Sequence, residues 1–167
     1  MINIKDLSSL YSVKELSLDD KDEILNLYKG NLYYFSLLDE MPCENSIIED
    51  LTSFPEGKTK EDKHFIGLYF MNSLMAVIDL VENYPNDKEV YIGLFMMNVM
   101  FQNRGIGSSI INELAFALDK QGFKSLKLAY LSNNMIAIAF WTKNGFISDG
   151  KVSTYKGKEV IEVERRL

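Results

Sequence analysis

The sequence predicts an α/β fold in which a sheet is covered by helices on both faces, and three observations carry that expectation. Val90 to Phe101 is an almost continuously apolar run, too long for a half-exposed hairpin strand and suited to a central strand buried on both sides. A glycine-bearing turn, Gln102-Asn103-Arg104-Gly105-Ile106-Gly107, follows it, and the apolar period then changes to that of a helix. Lys124 to Leu131 alternates polar and apolar residues as a strand should; with a helix between the two, this strand is expected parallel to its predecessor.

Taken in order, Ser12 to Leu18 alternates like an opening strand, and Asp19 offers an N-cap for a helix carrying Ile24, Leu25, Leu27 and Tyr28, ended by Gly30. An aromatic helical patch from Leu32 to Leu38 runs into Pro42, which breaks it. A short helix is expected from Ser46 to about Ser53, then a surface loop from Phe54 to Lys63 that is poor in apolar residues. His64 to Met71 and Leu74 to Val81 read as a hairpin turning at Asn72-Ser73, and Tyr84 to Asp87 as the turn into the long apolar strand. After the glycine turn, Ile106, Ile110, Ile111, Leu114, Ala117 and Leu118 share one helical face, and Gln121-Gly122 supplies a stop. Asn133 or Asn134 caps the next helix, whose Ile136, Ala137, Phe140 and Trp141 repeat at helical spacing until Asn144-Gly145. Phe146 to Leu167 reads as a hairpin turning at Lys156-Gly157.

Composition narrows the function. A chain of 167 residues with 47% hydrophobic content has room for one domain with a substantial core, so residues 1–167 are expected to form one unit. The apolar stretches stop short of the ~20 residues of a membrane helix, and the first residues lack a signal-peptide layout; a cytoplasmic protein without a membrane partner is expected. One cysteine, Cys43, and one histidine, His64, cannot assemble a conventional zinc site, so no metal is expected. A formal charge of -6 argues against nucleic acid as a partner.

The glycine turn carries the first chemistry. The opening turn of a helix presents unpaired N–H groups and a partial positive charge, which together hold a diphosphate. Gly105 and Gly107 would let phosphate oxygens approach the main chain and would permit positive φ. A nucleotidase P-loop needs Lys and a hydroxyl after its second glycine, where Ser108-Ser109 stand; a dinucleotide fingerprint needs a third glycine, where Ile110 stands. Both fit poorly.

Gln102-x-x-Gly105-x-Gly107 instead resembles the acyl-CoA pyrophosphate loop of the GNAT superfamily of N-acetyltransferases. Asn134-Met135-Ile136-Ala137-Ile138-Ala139-Phe140-Trp141-Thr142-Lys143-Asn144-Gly145-Phe146 resembles that superfamily's second signature, with Trp141 replacing its tyrosine. Val160 to Leu167 resembles its last strand. The resemblance implies a GNAT fold: a mixed, mainly antiparallel sheet of six to seven strands with helices on both faces. Its strands four and five splay apart to admit the pantetheine arm of acetyl-CoA. It further implies direct transfer of an acetyl group to a primary amine of a small molecule or protein, and leaves a homodimer open.

Carried over residue by residue, the resemblance puts Phe95, Met96 and Met97 where backbone groups meet pantetheine and the acyl carbonyl. Gln102, Asn103, Arg104, Gly105, Ile106, Gly107 and Ser108 fall at the pyrophosphate loop, and Asn134 at a side chain that hydrogen-bonds the cofactor, although Asn134 also reads as a plain helix cap. Tyr33, Tyr34, Asp39 and Glu40 fall in the segment that overhangs the acceptor. Some relatives carry a basic glutamate where Ala129 stands, so Asp79, Glu82 and Glu89 are the candidates for proton acceptor. Trp141 cannot protonate a thiolate as tyrosine can; Tyr130 and Tyr155 are the alternative hydroxyls. His64 reads as structural. Trp141 and Ala129 also favour an alternative reading, a catalytically weak acyl-CoA-binding module.

Overall fold

The computed structural model describes all 167 residues. Seven strands form one sheet in the order β1-β2-β3-β4-β5-β7-β6: β1 (Ser12–Glu15), β2 (Lys63–Phe70), β3 (Ser73–Glu82), β4 (Glu89–Met97), β5 (Ser125–Leu131), β6 (Ile147–Tyr155) and β7 (Lys158–Arg166). Only the β4–β5 pair is parallel; every other neighbour is antiparallel. α1 (Lys21–Lys29), α2 (Leu32–Leu37) and α3 (Glu44–Thr52) precede the central strands, α4 (Ile106–Lys120) joins β4 to β5, and α5 (Met135–Lys143) follows β5.

Apolar side chains sort into two layers. On one face Ile66, Ile78, Leu80, Val90, Ile92 and Leu126 pack with Ile110, Ile111, Leu114 and Leu118 of α4 and with Trp141 of α5. On the other, Phe65, Val77, Leu94 and Met96 pack with Ile24, Leu27 and Tyr28 of α1, Phe35 of α2 and Ile47 of α3. Helices therefore cover both faces, which is why β3 is buried from Leu74 to Glu82. None of the helices is long and apolar enough to cross a membrane.

Several boundaries differ from expectation for local reasons. β1 stops at Glu15, and Ser17 and Asp20 form a capping box around a short 3₁₀ turn before α1, so Asp20 rather than Asp19 precedes the helix. The β2–β3 turn sits one residue earlier, at Met71 and Asn72, both with positive φ. The long apolar run does not stay a strand to Phe101. Asn98 ends it: its side chain accepts from the Met100 N–H and starts a 3₁₀ turn over Val99–Phe101, and Val99 and Met100 are exposed.

β4 also departs from burial on both faces. Asp79 pairs with Leu94 and Leu80 with Ile92, so Gly93 is an extra residue in β4, a β-bulge. Because side chains alternate with a period of two, one inserted residue moves all that follow to the opposite face. Val90 and Ile92 accordingly belong to the α4–α5 layer, whereas Leu94 and Met96 belong to the α1–α3 layer. The bulge falls where β4 loses its neighbour, for β4 and β5 pair only from Glu89, Val90 and Tyr91 to Ser125, Leu126 and Lys127. Past Tyr91 the strands diverge and a slot opens between them.

Candidate active site

Two cavities meet in this slot. One, of about 390 Å³, lies along the end of β4 and the start of α4; the other, of about 420 Å³, lies between β4, β5, α3 and the β6–β7 hairpin. Tyr34, Phe95, Asn134, Ala137 and Trp141 line both, so they mark the junction.

The first cavity is built largely from main chain. The Asn98 N–H donates across β3 to the Met75 carbonyl at 2.7 Å; alternation along the strand then turns the N–H and C=O groups of Phe95 and Met97 toward the slot. The Met97 carbonyl is taken by the amides of Asn31 and Gln102, each at 3.0 Å, and Gln102 also donates to Asn31 Oδ1 at 2.9 Å. Gln102 is thus a fastener that ties the glycine turn to β4, and Asn31, at the α1–α2 junction, is its partner; sequence reasoning missed Asn31, which no motif marks.

At the far end of this cavity α4 begins on Gly105, in the left-handed region at φ 77°, with no side-chain cap. The Ser109 N–H is the first to find an intrahelical acceptor, Gly105 O at 3.1 Å, so the N–H groups of Ile106, Gly107 and Ser108 are free for an anion. Positive φ occurs at Asn103 and Gly105 and not at Gly107. Gly107 is small for a different reason: a Cβ there would stand 3.2 Å from Phe140 Cε2. Arg104 is exposed beside the turn, and Ile106 packs at the edge of the core; neither lines the cavity.

At the junction, Asn134 is buried and its Oδ1 accepts from the Ala137 N–H at 3.1 Å, capping α5 and leaving its amide N–H₂ for a ligand. Trp141 packs edge-on against Phe95, Phe140 and Phe146 at centroid distances of 5.8, 5.0 and 4.9 Å.

The second cavity is built from buried and half-buried side chains. Asp79, only 8% exposed, receives the Lys63 ammonium on Oδ2 at 2.6 Å, while its Oδ1 is buried without a partner. Gly93 makes this placement feasible, since a Cβ on residue 93 would stand 2.5 Å from Asp79 Oδ2. Asp50, from α3, accepts from the Tyr28 hydroxyl at 2.5 Å. Burial raises the proton affinity of both acids against the pull of their partners, and Asp50 is pushed up to about 6. Burial likewise raises Tyr91, to about 12, and Tyr155. Tyr130, Tyr155 and Ala129 also line this cavity.

Not every expected acid reaches the site. Glu82 accepts the Ile2 N–H at 2.5 Å and lies 3.7 Å from His64 Nε2, and Glu89 pairs with Lys127 at 3.1 Å; neither lines either of these two cavities. Both are placed by the far ends of their strands, away from the slot. Tyr33 and Tyr34 line the first cavity. Asp39 and Glu40 do not line either cavity: Asp39 pairs with Lys158 and Glu40 with Lys156, the latter at 2.8 Å. They tie the α2–α3 segment to the β6–β7 hairpin. Asp50 and Lys63 were missed in the sequence because one sits in a mixed helix and the other ends a polar loop.

The family model for the Acetyltransferase (GNAT) family matches residues 22–146, a stretch that includes both signatures and the slot. The chain belongs to the GNAT acetyltransferase family. Its fold is shared with solved acetyltransferases. An acetyltransferase from Thermus thermophilus aligns with TM-score 0.75 and 19% identity over 94% of this chain and 97% of that one. A RimL ribosomal L7/L12 alpha-N-protein acetyltransferase aligns with TM-score 0.72 and 16% identity over 100% and 96%. The PaiA N-acetyltransferase of Thermoplasma acidophilum, solved with coenzyme A, aligns with TM-score 0.64 and 17% identity over 91% and 97%. No curated protein sequence gives a significant match.

Proposed function

We propose that this GNAT protein is an acetyl-CoA-dependent N-acetyltransferase that moves an acetyl group directly to a primary amine. The observation that carries the reading is the meeting of two unlike cavities at Phe95 and Trp141: one ends on the uncapped start of α4, the other on a buried carboxylate. Acetyl-CoA fits the first. Its diphosphate would meet the free N–H groups of Ile106, Gly107 and Ser108, its pantetheine the unpaired edge of β4, and the amide of Asn134 would donate to it at the turn into the slot.

The thioester supplies the acetyl group: the amine nitrogen bonds to its carbonyl carbon, the carbon–sulfur bond breaks, and coenzyme A leaves as the thiolate. The protein has three tasks in that exchange. Slot-facing N–H groups of Phe95 and Met97 stabilise the negative charge that grows on the carbonyl oxygen. Asp79 takes the proton that the attacking amine must lose; it is the only one of the three candidate acids that lines the acceptor cavity, and its raised proton affinity suits a base. It comes from β3, across the slot from Ala129 on β5. The aromatic walls of Phe95, Phe140 and Trp141 exclude water and hold the two reactants together.

Calorimetry with coenzyme A, followed by an amine panel with thiol detection, tests this reading. Binding together with amine-dependent thiol release is expected. Binding without thiol release from any amine would assign the protein to the acyl-CoA-binding modules instead.

A further inference from the structure

The acceptor cavity holds more acid than the transfer of one proton requires. Asp79 and Asp50 approach it from different elements, β3 and α3. The ammonium of Lys63 is committed to Asp79 Oδ2 at 2.6 Å, and Glu49 at the rim is satisfied by Lys156 at 3.0 Å. Asp79 Oδ1 is buried without a partner, and Asp50 receives only the neutral hydroxyl of Tyr28. Removing a carboxylate from water is costly unless counter-charge and hydrogen bonds satisfy it. Half-buried Asp50 has no ion pair, buried Asp79 keeps one oxygen unpartnered, and desolvation raises the proton affinity of both. Positive charge brought by a ligand would relieve it at two points. The β6–β7 hairpin, whose Tyr155 lines the same cavity, is strapped to the α2–α3 segment by Lys156 on Glu40 and Glu49 and by Lys158 on Asp39. With a volume of about 420 Å³, the cavity suits a small molecule.

We propose that the acceptor is a small molecule carrying two amines, one of which gives its proton to Asp79 and attacks while the other remains an ammonium held by Asp50. This rests on the reading of the protein as an amine acetyltransferase, and it adds the substrate class and a second recognition residue.

The test compares straight-chain diamines, from propane to pentane, with the monoamines of equal length. For the wild-type protein the best diamine should exceed its monoamine in kcat/KM by about ten- to hundredfold, the range of one charge-assisted hydrogen bond. In Asp50→Asn, whose amide oxygen still accepts from Tyr28, that ratio should fall close to one through the KM of the diamine. Without acetyl-CoA, the preferred diamine should raise the melting temperature of the wild type and fail to raise that of Asp50→Asn. Equal use of diamines and monoamines, an unchanged ratio in Asp50→Asn, or faster transfer to a peptide N-terminus would overturn the proposal, and the wild-type comparison decides even if the variant does not fold. Failure of coenzyme A to bind would instead remove the acetyltransferase reading, and the melting shifts would then judge the cation site alone.

Discussion

The two halves of the slot are made from different materials. On the proposed cofactor side the free donors are mostly main-chain N–H groups of β4 and α4, and side chains such as Gln102 and Asn31 hold that backbone in place. The proposed acceptor side is instead lined by side chains, buried Asp79 and Lys63 and half-buried Asp50, drawn from β3, β2 and α3. A backbone site needs only the right turn and the absence of bulk, so it leaves a compact glycine signature. A side-chain site assembled from three elements leaves no local signature.

The sharpest break of that comparison is Asp79→Asn. The amide keeps the shape and still accepts from Lys63 but cannot take a proton, so transfer to every amine should fall by ~10²–10⁴-fold, the range of general-base catalysis. Coenzyme A affinity, measured by calorimetry, should stay at the wild-type value; a joint loss of both would mean that the halves are not separate. Gly93→Ala attacks the same acid from the opposite strand. Its Cβ would come within 2.5 Å of Asp79 Oδ2 and 3.1 Å of Cγ, and the Lys63 pair resists a shift, so stability should drop by about 1–3 kcal/mol and activity by at least about tenfold. Denaturant unfolding and steady-state rates read the two effects.

On the cofactor side, Gly107→Val should weaken coenzyme A binding by about tenfold or more, because its side chain pushes against Phe140 and crowds the free N–H groups of the first helical turn. Amine binding, followed by diamine-induced melting shifts, should be unaffected. The converse result, loss of amine binding with normal coenzyme A affinity, would put the anion at a different place.

How much of this was legible follows from the same contrast. The glycine turn, the α5 cap and the slot strand could be read directly, because backbone constraints act through neighbouring residues. The element order could be read for that reason too, since helix and strand periods are local, whereas the mainly antiparallel sheet topology followed only from the family resemblance. The β4 bulge could not: Gly93 lies inside an apolar run, and the face switch it causes depends on Asp79 in the partner strand. Glu82, Glu89 and Asp79 look alike as isolated acids near strand ends, and only strand register tells that Asp79 reaches the slot. Asp39 and Glu40 fell in the expected overhanging segment, but their lysine partners lie 119 and 116 residues away, beyond any local pattern.

A smaller effect concerns stability alone. Asp50 binds its proton more tightly in the folded protein, to about 6, than in the unfolded chain, near ~3.9. The folded state therefore holds more protons between these values, and its stability falls as pH rises through that window and levels off above it. Asp79 shifts in the same direction. Asp50→Asn should remove part of the slope and add about 1–2 kcal/mol at neutral pH, measured by denaturant unfolding at several pH values. A slope unchanged by the substitution would show that Asp50 does not carry the cost assigned to it.

The smallest expected effect on catalysis belongs to Trp141, although it replaces the tyrosine of the second signature. A tyrosine there could protonate the departing thiolate; an indole cannot, because its N–H does not ionise usefully near neutral pH. The geometry gives Trp141 another task, since it is buried edge-on among Phe95, Phe140 and Phe146 and lines both cavities. Trp141→Phe should keep one aromatic face in that cluster, at a cost of about 1–3 kcal/mol in stability from the lost volume. A thiol with pKa near ~8.5 leaves tolerably without protonation, so the chemical step should slow by less than about tenfold, below the range of acid catalysis. Single-turnover transfer to a confirmed amine measures that step free of product release. A loss above about a hundredfold, with fold and coenzyme A affinity intact, would mean that the indole N–H acts on the reacting atoms. Trp141 would then belong with Asp79 among side chains that do chemistry, and the reacting end of the cofactor half would no longer be served by main chain alone.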